Sequence, residues 1–199
     1  MNKIIIMISG RGSNMFAIAK NIQSGILKDV CEIQTVFSNK SEAPGLQKAN
    51  EMGIRTHCIP SKGKKKKTYN SLLLKWLKSE KPDFIVLAGY MKVLPVEIIQ
   101  EFPRKIINIH PADTTEHQGL HGYEWAWENN IKETKITVHF VDEGLDTGEI
   151  IRQRAVDLNG CNSLEEVEKR GLKVEHEFYS KCLREILTAK ITKTQKVPL

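Results

Sequence analysis

Residues 3–14 read Lys3-Ile4-Ile5-Ile6-Met7-Ile8-Ser9-Gly10-Arg11-Gly12-Ser13-Asn14. Five consecutive apolar side chains leave this segment no polar face for water. It therefore reads as a strand covered on both sides, as in a parallel sheet. It is expected to be a first strand rather than a leader: it is too short for a secretory signal, lacks an Arg-rich transit pattern, and runs at once into glycines and an arginine. The glycines end the strand, and residues 15–23 carry a helical pattern.

The unit of strand, break and helix recurs. Strands are expected at 32–37, 54–59, 83–88, 105–109, 135–141 and 149–156, with 83–88, the most apolar, at the sheet centre. Helices are expected at 43–52, stopped by Gly53, and at 69–79, with Leu72, Leu73, Trp76 and Leu77 on one face. Pro95 suits the start of a short helix, and 120–129 reads as another. Ser163, with Glu165 and Glu166 behind it, resembles a capping box for a long final helix that reaches about residue 187. The alternation predicts a doubly wound, mostly parallel α/β sheet with a long C-terminal helix. Residues 1–189 form one expected domain and 190–199 a loosely attached tail.

The chain has 199 residues, 40% hydrophobic and 27% charged, as in an ordinary globular domain. No window approaches the ~18 apolar residues of a membrane span. The four cysteines form no CxxC pair, so neither a zinc knuckle nor a redox dithiol is expected, and a reducing cytoplasm fits them. The net charge of +6 is concentrated in Lys62-Gly63-Lys64-Lys65-Lys66-Lys67. Such a run is a nucleic-acid patch, an anion-attracting loop or simply a solvated loop. Only Tyr69 lies near it, without the interleaved aromatics of a nucleic-acid platform, so that reading ranks last.

In doubly wound sheets, ligands bind beyond the carboxyl ends of strands. Residues 10–14, 89–94, 108–111 and 142–148 all follow strands. In 10–14, glycines admit a ligand close to the backbone, and the free amides of a helix start favour phosphate. Ser13 and Asn14 add side-chain donors. The plain alternative is a tight turn with Ser13 as a helix cap. Met15 stands where a dinucleotide fingerprint needs its third glycine, and no acidic residue ends the second strand. No Gly-Lys-Ser/Thr follows either, so a small phosphorylated substrate fits better than NAD or ATP.

Asn108-Ile109-His110-Pro111, followed by Asp146 in a Gly-rich connection, supplies an amide donor, an imidazole and a carboxylate. Separately, a structural histidine and a turn-stabilising aspartate explain them. Together they are the groups needed to transfer a carbonyl-containing group. His117 and His121, four apart, could share a helical face and hold a metal with His110, but nothing completes a ligand set and no metal is expected. Gly89-Tyr90-Met91-Lys92-Val93-Leu94 is either a plain connection or a backbone-lined slot for a flat heterocycle.

The chain resembles the folate-dependent formyltransferase family of purine synthesis from about residue 3 to 187. The resemblance rests on Ile8-Ser9-Gly10-Arg11-Gly12-Ser13-Asn14, Ser38-Asn39-Lys40, Leu87-Ala88-Gly89-Tyr90-Met91, Asn108-Ile109-His110-Pro111, Gly119-Leu120-His121, Val138-His139-Phe140-Val141 and Asp146-Thr147-Gly148. It implies a Rossmann-like formyltransferase fold, 10-formyltetrahydrofolate as donor and no metal. The implied catalytic residues are Asn108, His110 and Asp146. Gly12, Ser13 and Asn14 would hold the phosphate of glycinamide ribonucleotide, with Pro111, Gly119 and Glu175 on the glycinamide side. Lys66, Met91, Lys92, Val93, Leu94, Asn108, Val141 and Asp142 would line the folate site. Asn108 and His110 would stabilise an oxyanion while Asp146 keeps His110 protonated. The proton is carried by His110, Asp146 or a bound water, a choice the residues leave open. The expected partners are small molecules, with the chain a monomer or homodimer.

One departure stands out. The family commonly reads His-Pro-Ser-Leu-Leu-Pro, whereas this chain reads His110-Pro111-Ala112-Asp113-Thr114-Thr115-Glu116, a polar wall where an apolar one is usual. Alternatives are a formyltetrahydrofolate deformylase, a formyltransferase for another small phosphorylated amine, and a non-catalytic folate or phosphate sensor. A deformylase is expected to bring a regulatory domain ahead of the catalytic one, and transfer to tRNA or a sugar nucleotide a further C-terminal domain; neither is expected here.

Overall fold

A computed structural model describes residues 1–189; the tail expected at 190–199 lies outside the described residues. Seven strands form one sheet: β1 (Asn2–Ile8), β2 (Cys31–Ser38), β3 (Thr56–Cys58), β4 (Phe84–Leu87), β5 (Ile106–His110), β6 (Glu133–Phe140) and β7 (Ile150–Asp157). Their order is β3-β2-β1-β4-β5-β6-β7, which places β4 at the centre as expected. β1 to β5 pair in parallel, and β6 and β7 close the edge antiparallel.

Six helices flank the sheet: α1 (Ser13–Ser24), α2 (Pro44–Glu51), α3 (Lys66–Glu80), α4 (Val96–Glu101), α5 (Gly122–Glu128) and α6 (Leu164–Thr188). Alternate residues of the strands feed two cores. Ile4, Ile6, Ile8, Val86, Ile107, Ile109 and Val138 pack beneath α1, α2, α5 and α6. Ile5, Met7, Ile85, Leu87 and Ile106 pack against α3 and α4. Each fully buried isoleucine removes enough apolar surface from water to contribute about 1.5–3 kcal/mol, which is why β1 tolerates no polar residue on either face. On α3, Leu73 and Leu77 are buried but Leu72 is exposed, so the apolar stripe is narrower than its sequence suggests.

The helix ends refine the expected boundaries. Gly12, in the left-handed region at φ 69°, caps α1, so Ser13 is its first helical residue rather than its cap. Pro95 precedes α4 in extended conformation. Ser163 Oγ accepts from the Glu166 amide at 3.2 Å, while the Asn162 amide donates to Glu166 at 2.8 Å. This satisfies free amides at both sides of the α6 start, as a capping box does. His121 caps α5 at φ 68°, so His117 and His121 do not share a helical face.

The second face of the sheet positions the site. Strand alternation puts Asn108 and His110 on the same face as Ile106. Cross-strand pairing puts His139 opposite Asn108 and Thr137 opposite His110. The face covered by α3 and α4 at the centre thus becomes polar over β5 and β6. Two loops cover it there: residues 111–121 and 141–149. Because β6 is antiparallel, its carboxyl end lies toward the amino end of β5, with Phe140 beside Ile107. Residues 142–148 follow the carboxyl end of β6, as expected, but that end points toward the amino end of β5, and the connection folds back over β5 to deliver Asp146. Among the described residues, no helix is long and apolar enough to cross a membrane.

Candidate active site

Asn108, His110 and Asp146 do come together. Asn108 Nδ2 donates to Asp146 Oδ1 at 3.1 Å. His110 Nδ1 lies 3.4 Å from Asp146 Oδ2. The Gly119 amide donates to the same Oδ2 at 2.8 Å. Asp146 occupies the left-handed region at φ 53°, a conformation aspartate tolerates better than most residues, and the turn aims its carboxylate inward.

A fourth member, His139, is missing from the site inferred from sequence. It is buried on β6, and its Nε2 lies 3.2 Å from Asn108 Nδ2 and 3.3 Å from Asp146 Oδ1. It accepts from the amide when bare and donates to the carboxylate when protonated there. Its Nδ1 faces the Phe140 carbonyl at 2.8 Å. The available signal was its place two residues after Thr137, on the same face of the strand, between the apolar Val138 and Phe140.

The electrostatics revise the role expected of His110. Burial pushes its pKa down, and this outweighs the Asp146 carboxylate and the His117 carbonyl, which pull it up. Burial thus works against the protonated form that Asp146 was expected to maintain. Its Nε2 lies 3.0 Å from the His117 carbonyl and its Nδ1 faces Asp146, so both ring nitrogens point at acceptors, a geometry that favours a proton on each and opposes the effect of burial. Burial alone would raise Asp146, but His139, the Gly119 amide and the charge of His110 hold it below the usual carboxylate range.

The glycine loop is built by close backbone packing. The Gly45 amide donates to the Gly10 carbonyl at 3.0 Å, and a Cβ placed on Gly12 would stand 3.0 Å from Gly45 Cα. The first amides of α1 have no intrahelical partner and remain available to an anion. The Asn14 side chain is not: it is buried and donates to Glu175 Oε2 at 2.5 Å. Glu175 is itself only 5% exposed, and its other oxygen accepts from the Tyr123 hydroxyl. Burial raises its pKa despite both contacts. Glu175 thus joins α1, α5 and α6 behind the loop rather than presenting an open carboxylate to a substrate.

The residues expected on the folate side are arranged differently from one another. Met91 and Val93 are exposed apolar side chains on the loop leaving β4, while Leu94 is buried. The Met91 amide donates to Ser9 Oγ at 2.8 Å, and Ser9 donates to Asn39 Oδ1 at 2.6 Å, tying this loop to the end of β1. Gly89, at φ 78°, permits the turn. The Val141 amide is spent on the Ile106 carbonyl, and Asp142 Oδ1 accepts from the Gly144 amide and Thr147 Oγ1, a turn-stabilising role. Lys92 lies over the Tyr69 ring at 5.4 Å. Lys66 is exposed in the first turn of α3. Pro111 abuts Gly122, whose Cβ would meet the Pro111 carbonyl. A cleft of about 380 Å³ opens between residues 114–118 and Asp146-Thr147-Gly148, bounded by Ile150. Among the described residues, no group of three His, Cys, Asp or Glu is placed to hold a metal.

A half-buried amide, two buried imidazoles and a carboxylate beside a helix-start anion loop suit transfer of a carbonyl-bearing group to a small phosphorylated acceptor. The chain belongs to the formyl transferase family, whose model matches residues 2–183, and is a formyl-transferring enzyme. It is 34% identical over 177 residues to the phosphoribosylglycinamide formyltransferase of Escherichia coli, covering 88% of this chain and 82% of that one. It is 37% identical over 180 residues to the enzyme of that name from Haemophilus influenzae, covering 90% and 84%. The crystal structure of the Brucella melitensis phosphoribosylglycinamide formyltransferase superposes with a TM-score of 0.85 at 37% identity, covering 96% of this chain and 97% of that one.

Proposed function

We propose that this protein is a phosphoribosylglycinamide formyltransferase that moves the formyl group of 10-formyltetrahydrofolate to the amine of glycinamide ribonucleotide. The observation that carries the reading is the convergence of Asn108, His110, His139 and the Gly119 amide on one Asp146 carboxylate. The folate fits the residues present: exposed Met91 and Val93 flank a backbone loop that can take the flat face of a heterocycle, beside Asn108. The donor supplies the electrophilic formyl carbon.

The chain's groups then have distinct tasks. The Asn108 amide polarises the formyl oxygen and stabilises the oxyanion, exchanging one of its present acceptors for it. The amine attacks the formyl carbon as the bond from that carbon to N10 of the folate breaks; His110 takes up the proton lost by the amine and passes it to N10, and Asp146, held anionic, stabilises the imidazolium in between. His139 keeps Asn108 and Asp146 aligned. The α1 amides behind Gly12 and Ser13 hold the acceptor phosphate, and Pro111 and Gly119 flank its amine. Glu175 and Asn14 act from behind the loop. Residues 1–189 work as one catalytic domain, as a monomer or homodimer. Four free thiols, two of them buried, suit a reducing cytoplasm.

The polar segment from Asp113 to Gln118 favours a second reading, an acceptor that is another small phosphorylated amine. One assay separates the two: purified protein is mixed with 10-formyltetrahydrofolate, with and without glycinamide ribonucleotide, and folate deformylation is followed by absorbance. Turnover that requires the ribonucleotide is expected. No turnover above the acceptor-free control would remove this acceptor, and equal turnover without acceptor would indicate a deformylase.

A further inference from the structure

The polar wall after Pro111 is a folded unit with its own anchor. Asp113 is buried, and its carboxylate makes four contacts. Oδ2 accepts from Lys135 Nζ of β6 at 2.6 Å. Oδ1 accepts from Gln153 Nε2 of β7 at 3.1 Å, and from the Thr115 amide and hydroxyl at 3.0 and 2.8 Å. The Asp113 carbonyl accepts the amides of Glu116 and His117, both at 2.9 Å. Thr137 Oγ1 donates to the Ala112 carbonyl and accepts from Gln153. A tight turn is thus fastened to the two antiparallel edge strands through one side chain.

The other end of that turn meets the catalytic pair directly. The His117 carbonyl faces His110 Nε2, and the Gly119 amide holds Asp146 Oδ2. The His117 ring lies between those of His110 and Trp125, at centroid distances of 6.0 and 5.0 Å. We infer that Asp113 is a positioning residue, whose carboxylate anchors residues 113–119 so that the His117 carbonyl and the Gly119 amide fix the geometry of His110 and Asp146. This rests on the catalytic reading of that pair.

The anchor stays charged wherever the enzyme works. Burial would raise its pKa, but Lys135, Thr115 and Gln153 hold it well below the usual carboxylate range. The Lys135 side chain is 45% exposed, so removing Asp113 leaves the ammonium in water rather than stranded in the core. The main consequence falls on the turn. A loosened turn admits water to His110, whose titratable neighbours are Asp146 from the β6–β7 connection, His139 from β6 and His117 from the turn itself. Burial is the largest influence on His110 and outweighs the lost pull of the His117 carbonyl, so its titration then moves up toward the ordinary histidine value.

The test compares Asp113→Ala, Asp113→Asn and Gln153→Ala with the wild type. Asp113→Ala is expected to lower kcat about 10-fold to 100-fold, the scale of a displaced catalytic group, with the folate KM unchanged. The His110 ring, followed by NMR titration, is expected to titrate at a higher pH than in the wild type. Asp113→Asn, which keeps an acceptor for Thr115, is expected to lie between. Unchanged kcat and an unmoved His110 titration, even with a lower Tm, would overturn the proposal. Should Asp113→Ala fail to fold, Gln153→Ala on the edge strand decides it by the same two readouts. The titration needs no acceptor, so failure of the glycinamide ribonucleotide assignment is distinguishable from failure of this one.

Discussion

Asn108 and His139 are register partners on adjacent antiparallel strands, and their side chains meet at 3.2 Å over a shared carboxylate, that of Asp146. Neither neighbours the other in sequence. The pairing makes the candidate site stiff: Asn108 sits on a strand with a neighbour on each side, and the carboxylate arrives from the turn that links β6 to β7.

His110→Ala and Asp146→Asn are each expected to lose at least ~100-fold in kcat, the usual scale for an acid/base or electrostatic group. The two residues act as a unit, so the double variant should lose little more than the worse single one. Steady-state rates of the three variants check this, and fully additive losses would separate the roles.

His139→Ala should reduce kcat by about 10-fold or more with little change in the acceptor KM. Asp146 is held low partly by His139, so its pKa should rise in the variant. Activity that needs the carboxylate would then fade at a higher pH as the solution is acidified. A kcat–pH profile that superposes on the wild type after scaling would contradict this.

Gly12→Ala meets two obstacles, a left-handed φ of 69° and a backbone neighbour 3.0 Å from the new Cβ. The conformational part alone costs about 1–2 kcal/mol. The expected result is a lower Tm and a raised acceptor KM with the folate KM intact. A normal acceptor KM would remove the loop from the phosphate site.

Glu175→Gln tests the buried carboxyl behind that loop. Its folded pKa is raised by burial, so the native state holds the proton more tightly than the unfolded chain. That contribution is fully present below the unfolded carboxyl pKa and is lost as pH rises through the folded one. Glutamine has no charge to bury, and its amide can donate to Asn14 Oδ1, which has no partner among the described residues. Melting at pH 5 and pH 8 should show the variant gaining on the wild type at the higher pH. A constant offset at both would refute it.

Lys66→Ala should raise the folate KM with kcat little changed, since an exposed cation in the first turn of α3 acts on binding. The reverse pattern would take Lys66 off the folate surface.

Much of the molecule was legible without coordinates, because its cues are local. Ile4 to Ile8 could only be a buried strand, Gly12 a break before a helix, and Ser163 with Glu166 a helix start. Asn108 and His110, two apart on a strand, had to share a face. Turn chemistry and side-chain periodicity act over a few residues, and those residues are adjacent in the chain. Other features required the tertiary structure. The reversal of β6 brought His139 beside Asn108 and folded residues 142–148 back over the sheet. Burial worked against the protonated form of His110 and enclosed Glu175, and Asp113 found Lys135 and Gln153 on two different strands. Strand direction, desolvation and the choice of partner depend on residues tens of positions apart, and only packing brings those together.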